Sequence, residues 1–198
     1  MIVSFQQELL EAGCDEAGRG CYAGPVFAAA VILPPRFRHP LLNDSKLLQP
    51  QVRFALRTYI EAHALAFAVA QVSVEEIDAI NILKASQKAM HLALASLKLT
   101  PEFIAVDGNY FLTYETIPHA CIVKGDGKFS NIAAASILAK TYRDEYMQRI
   151  HSEFPHYNWA SNKGYGTQEH RDAIKEKGIC IHHRKSFNIL PVQVVLSE

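Results

Sequence analysis

Hydrophobic residues along this chain come in short continuous runs of strand length, alternating with stretches where they recur every three or four positions. Those changes of period mark out the elements. Leu9 to Cys14 forms a short apolar approach to a polar turn, and Pro25 to Leu33 is an unbroken apolar run that Pro34-Pro35 ends. Pro50 suits a first helical turn, and Val52, Leu56 and Ile60 share one face of a helix predicted to run to about Ala64. Leu65 to Val74 reads as a strand, Glu75 to Ile80 as a short acidic turn. Asn81 then caps a helix to about Leu99, with Ile82, Ala85, Ala89, Leu92 and Ala93 on one face and Pro101 at the exit. Two further strands are predicted at Phe103 to Val106 and Ala120 to Val123. Ser130 is the expected N-cap of a long alanine-rich helix to about Phe154, followed by a loop over 155–166, a short helix from Thr167 or Gln168 to Lys177, and a basic-aromatic loop, His182 to Phe187. Early strands followed by strand-helix alternation indicate an α/β fold with a mixed central sheet.

Composition adds little to this outline. Of 198 residues 49% are hydrophobic and 20% charged, which is enough to bury a core, and a single domain over 1–198 is expected, with about 155–198 as a C-terminal segment. No apolar run approaches eighteen residues and no leader pattern opens the chain, so the expectation is a cytoplasmic protein with no membrane contact. Cys14, Cys21, Cys121 and Cys180 lack the spacing of a zinc site and read as reduced thiols; the neighbours His182 and His183 are poorly placed to share one ion from a regular element. Net charge is zero but uneven: residues 1–119 hold 9 Lys and Arg against 12 Asp and Glu, residues 120–187 hold 11 against 7 with five histidines. A basic second half suits a polyanionic partner, although solvated surface charge accounts for such a bias as well.

The chemistry concentrates where the strands end. Asp15-Glu16-Ala17-Gly18-Arg19-Gly20 sets two adjacent carboxylates before a glycine-arginine-glycine turn, and neighbouring residues of a strand face opposite sides. Taken alone, the pair is an ordinary charged turn. Asp107 ends a second apolar run, however, and Asp126 follows a third within Lys124-Gly125-Asp126-Gly127-Lys128, so three strand ends carry acid. Such acids need a cation nearby, either a metal or Arg19.

In order along the chain, Asp15 to Gly20, Asp44-Ser45-Lys46-Leu47, Val106-Asp107-Gly108, Lys124-Gly125-Asp126 with Ala134 to Lys140, Gly164-Tyr165-Gly166-Thr167 and His183-Arg184-Lys185-Ser186-Phe187 resemble the motif series of the bacterial ribonuclease HII family, the type 2 ribonucleases H. The resemblance covers nearly the whole chain. It implies a ribonuclease H-like fold: a mixed five-stranded sheet flanked by helices, with a small C-terminal helical and loop segment. It also implies an endonuclease that hydrolyses the RNA strand of RNA/DNA hybrids and cuts 5′ of ribonucleotides embedded in duplex DNA, leaving 5′-phosphate and 3′-hydroxyl ends. Asp15, Glu16, Asp107 and Asp126 would be its catalytic metal ligands. Four crowded carboxylates repel one another unless cations neutralise them, and oxygen ligands suit Mg²⁺ or Mn²⁺, two ions in the catalytic complex. Gly18, Arg19 and Gly20 would approach the ribose-deoxyribose junction, Tyr165 would contact the 2′-hydroxyl, and Lys46, Arg184 and Ser186 would hold backbone phosphates. The expected partners are RNA/DNA hybrid and ribonucleotide-containing duplex DNA, bound by a monomer; the sequence says nothing of protein partners. Two other functions fit the same residues: a nucleic-acid-binding module that has lost catalysis, and a phosphatase using Asp15 or Asp107 as a covalent nucleophile.

Overall fold

In the computed structural model, residues 1–42 and 48–189 are described. Five strands form one sheet: β1 (Glu11–Ala17), β2 (Val26–Ile32), β3 (Ala66–Val72), β4 (Phe103–Asp107) and β5 (His119–Ile122). Their order is β3-β2-β1-β4-β5. β1 pairs antiparallel with β2 and parallel with β4, so the expected mixed sheet is present. The helices are α1 (Pro50–His63), α2 (Val74–Ile80), α3 (Ile82–Ala95), α4 (Ser130–His151), α5 (Trp159–Asn162) and α6 (Gln168–Lys177).

Period-2 alternation sorts β1 and β2 between two cores. Ala12, Cys14, Val26, Ala28, Ala30 and Ile32 join a cluster with Ala85, Ala89 and Met90 of α3. Ala29 and Val31 point the other way, into a cluster with Leu56 and Ile60 of α1 and the alanine-rich half of α4. The small side chains of α4 admit close approach to the sheet. At Gly13 the fit is tightest: a Cβ there would collide with the backbone of Asn131 and Ile132. A third cluster, with Ala23, Met147, Tyr157, Trp159 and Ile174, packs the C-terminal segment against the far end of α4.

Three local expectations are corrected. Residues 74–80 are helical, not a turn: Ser73 accepts from the Glu76 amide, and Glu75 and Glu76 sit in the first turn where the helix dipole favours acid. The N-cap of α4 is Phe129 rather than Ser130, and no side chain caps it. Instead the Ser130 and Asn131 amides donate to the carbonyls of Ile2 (2.8 Å) and Val3 (3.1 Å), so the first residues of the chain satisfy the helix start. The stretch 155–166 holds a 3₁₀ turn and α5 rather than loop alone.

Candidate active site

β1 and β4 run parallel with Cys14 beside Val106, which sets the next residues, Asp15 and Asp107, side by side at the same end of the sheet. Odd-numbered residues of β1 face α4, so Asp15 meets that helix and accepts a hydrogen bond from Ser136. Asp126 arrives from the α4 side as well. It lies past β5, in the 3₁₀ turn Gly125–Gly127 that leads into α4, rather than at a strand end. The Gly125 amide ties this turn to Asp107 by donating to Oδ1 at 2.7 Å. Asp15, Asp107 and Asp126 thereby offer carboxylate oxygens within 4.8 Å of one another, Asp15 and Asp126 both buried.

Glu16 stands outside this triad, on the opposite side of the strand from Asp15. Its carboxylate pairs with Arg19 at 3.1 Å. The two acids still feel each other. Burial pushes Asp15 well above the usual carboxylate range, Glu16 and Asp107 push it further, and hydrogen bonds from Ser136 and the Glu16 amide pull against them. Glu16 is raised by burial and by Asp107, with Arg19 opposing. An all-oxygen cluster in which added negative charge is costly matches a hard divalent cation.

A cleft of about 200 Å³ opens beside the acids, lined by Asp15, Glu16, Gly18, Arg19, Gly20, Ser136, Lys140 and Tyr165. Tyr165 is 44% exposed, on the rim rather than in the core. Its backbone is held from two sides, by a bridge to Cys21 and by His170 Nδ1, 2.9 Å from its carbonyl. Behind it runs a chain of neutral rings. Cys180 N–H donates to His183 Nδ1, leaving His183 Nε2–H to point at His170 Nε2 (3.2 Å), which also accepts from the Trp159 indole (3.0 Å). A wider groove of about 540 Å³, between β2, β3 and α4, lies away from the triad.

Two predicted phosphate contacts are placed differently, and one lies outside the described residues. Arg184 is fully buried, its guanidinium donating to the carbonyls of Gly18, Arg19 and Gly24, so it offers nothing to a phosphate. Burial, then Arg143, brings it down to about 10, still a cation at neutral pH. Ser186 is exposed, but its hydroxyl and amide both donate to Asp78, and a phosphate contact requires the hydroxyl to leave that carboxylate. Lys46 falls within 43–47, outside the described residues. Ser136 and Lys140, absent from the sequence-based set, line the cleft, and Arg143, also absent from it, packs against Gly18 behind it. The signal was available in the spacing: 136, 140 and 143 lie on one face of the helix, and Ser136 and Lys140 interrupt and end its apolar stretch from Ile132 to Ala139.

Among proteins of known sequence, ribonuclease HII of Christiangramia forsetii is 58% identical over 98% of both chains. That of Phocaeicola vulgatus is 59% identical over 96% of this chain and 94% of its own. The crystal structure of ribonuclease H2 from Pyrococcus horikoshii superposes with a TM-score of 0.76 at 26% identity, covering 90% of this chain and 94% of that one. The family model for ribonuclease HII matches residues 12–189, which takes in β1 from its second residue, β4, the Asp126 turn and the Tyr165 loop, and with these relatives it establishes that the chain belongs to the ribonuclease HII family of ribonuclease H endonucleases.

Proposed function

We propose that this enzyme, besides cutting the RNA strand of RNA/DNA hybrids, incises duplex DNA 5′ of a single embedded ribonucleotide and leaves 5′-phosphate and 3′-hydroxyl ends. One observation carries the reading: the cleft that Asp15 and Glu16 line is also walled by Gly18-Arg19-Gly20 and Tyr165, so acids and a sugar-sized recognition surface share one space. Asp15, Asp107 and Asp126 would hold Mg²⁺ or Mn²⁺, with Glu16 as the fourth carboxylate, because their oxygens already converge and their mutual repulsion calls for a cation. When bound, the metal supplies an activated water and charge stabilisation for the leaving oxygen. The chain itself holds the strand. Gly20 has open space where a side chain would stand, leaving room for a sugar to reach the backbone, and Tyr165 offers a ring face and a hydroxyl to the 2′-hydroxyl that distinguishes RNA from DNA. We place the enzyme in the cytoplasm; no helix among the described residues is long and apolar enough to cross a membrane.

The deciding experiment is a duplex with one ribonucleotide, incubated with Mg²⁺, with Mn²⁺ and with chelator, the cut mapped at nucleotide resolution and its ends typed by ligation. Binding without cleavage in either metal would leave a recognition module instead of a nuclease, and cleavage 3′ of the ribonucleotide would refute the proposed polarity.

A further inference from the structure

Two fully buried guanidiniums, Arg143 from α4 and Arg184 from the C-terminal loop, lie beneath the turn that joins β1 to β2. Among the described residues neither pairs with a carboxylate; both are solvated by backbone carbonyls. Arg143 donates to Pro25 O (3.1 Å), Ala23 O (2.9 Å) and Lys163 O (2.8 Å). Arg184 donates through Nη2 to Gly18 O (2.6 Å), through Nη1 to Arg19 O (2.8 Å), and through Nε and Nη2 to Gly24 O (3.0 and 2.8 Å). Burying a cation without a counter-ion is costly, and a methyl-bearing side chain of similar volume would fill the space without that cost. What the guanidinium adds is direction.

A trans peptide holds its C=O and the following N–H antiparallel, and no cis bond occurs among the described residues. Carbonyls of Gly18 and Arg19 drawn inward therefore turn the amides of Arg19 and Gly20 outward, on the exposed side of the turn that lines the cleft. Neither amide donates a hydrogen bond among the described residues. Gly18 is fitted to the same arrangement: its φ is +96°, and a Cβ there would run into the Arg143 side chain. Main-chain bonds tie the same turn to its neighbours, Tyr22 N to Gly164 O, Gly24 N to His182 O and Arg184 N to Tyr22 O, each 2.8 Å.

We propose that Arg184 is a positioning residue for substrate discrimination: by fixing the Gly18 and Arg19 carbonyls it aims the Arg19 and Gly20 amides, as hydrogen-bond donors, at the sugar-phosphate of the strand in the cleft. This rests on the proposed function for the identity of that strand. Lysine cannot replace it, since one ammonium cannot reach three carbonyls spread around a turn.

The test uses Arg184→Lys and Arg184→Ala in the full chain. Arg184→Lys should bind Mn²⁺ as tightly as the parent by calorimetry, yet lose about 10- to 100-fold in kcat/KM on a duplex with one ribonucleotide, and several-fold less on a continuous hybrid, the size expected when a positioned group shifts by about 1 Å. Millimolar ethylguanidinium should restore part of the Arg184→Ala loss where ethylammonium does not. Equal losses on both substrates with weakened Mn²⁺ binding, or an unchanged ratio between substrates in a folded variant, overturn the assignment. One measurement is independent of the activity reading and so separates its failure from this one. Hydrogen exchange across 18–24 should quicken in Arg184→Lys while β1 and α4 keep their protection, and unchanged exchange refutes the role. Should the variants not fold, amide NMR of the parent in chelator decides: the Arg19 and Gly20 signals should shift with a ribonucleotide-containing duplex more than with its all-DNA twin, and identical responses refute it.

Discussion

Substitutions that leave the fold alone separate the roles of single residues. Asp15→Asn and Asp107→Asn each remove the charge of a carboxylate proposed to hold the metal, and Glu16→Gln removes a neighbouring charge; each should lower cleavage by about 100-fold or more, since metal-assisted catalysis is worth several kcal/mol at ~1.4 kcal/mol a decade. Asp15→Asn should also melt higher than the metal-free parent, because burial and like charge make an ionised Asp15 costly, and near-parental turnover in a folded variant would remove that residue from the site. Gly20→Ala tests recognition alone. A Cβ there meets nothing within 4 Å, so stability should stay within about 0.5 kcal/mol of the parent while kcat/KM on a single embedded ribonucleotide falls. Gly18→Ala, by contrast, should be destabilised outright. For Tyr165→Ala, loss of a stacking face worth about 1–3 kcal/mol predicts a roughly 5- to 150-fold drop on that substrate, and no drop would leave Tyr165 a surface aromatic. The acids were legible from the sequence because each follows an apolar run. Arg184 was not: a basic residue in a basic loop looks like a phosphate contact, and only the position of the Gly18 and Arg19 carbonyls reveals it as buried.

At the scale of elements, the site depends on how close α4 comes to β1. Gly13 lies under the start of that helix, and the atoms a Cβ would strike are main chain, which cannot rotate away. Gly13→Ala should therefore cost about 1–3 kcal/mol, seen as a lower urea midpoint with unchanged slope, whereas Gly127→Ala, with open space around it, should cost little. Because Asp126 hangs from the turn before α4, Gly13→Ala should also weaken Mn²⁺ binding; intact binding in a destabilised variant would show that the turn moves independently of the helix. Periodicity marked α1, α3, α4 and the strands well, since each presents a continuous apolar face. It failed at α2, where only Val74 and Ile77 are buried and the polar run conceals the cap-and-acid signature Ser73-Val74-Glu75-Glu76. It also misplaced the start of α4, which is capped by the carbonyls of Ile2 and Val3, a contact spanning more than 120 residues that no local pattern records.

Across the whole molecule, acid acts in opposite directions at two places. In the C-terminal cluster, burial and then the neighbouring His170 bring His183 down to about 4, against the opposing effect of its hydrogen bond to the Cys180 backbone; His170 is lowered by burial too. A histidine depressed below its unfolded value of 6.5 contributes stability that is complete above that pH and is lost as pH falls towards 4. At the carboxylates the sign reverses. Asp15 and Glu16 are raised, so without metal the fold regains stability as pH falls through their folded values. A bound divalent cation needs both acids ionised and competes with those protons. The melting temperature of the metal-free protein should accordingly be drawn down by the histidine as pH falls from 6.5 towards 4, with protonation of Asp15 and Glu16 opposing that loss. The increment added by saturating Mg²⁺, about 3 kcal/mol at a hundredfold excess over Kd, should shrink steadily between pH 7.5 and 5.5 at fixed ion concentration. Asp15→Asn should show a smaller increment with a flatter pH dependence. An increment constant across that range in the parent would mean that the carboxylates do not share their protons with the metal site, and the cluster would have to be reinterpreted as structural.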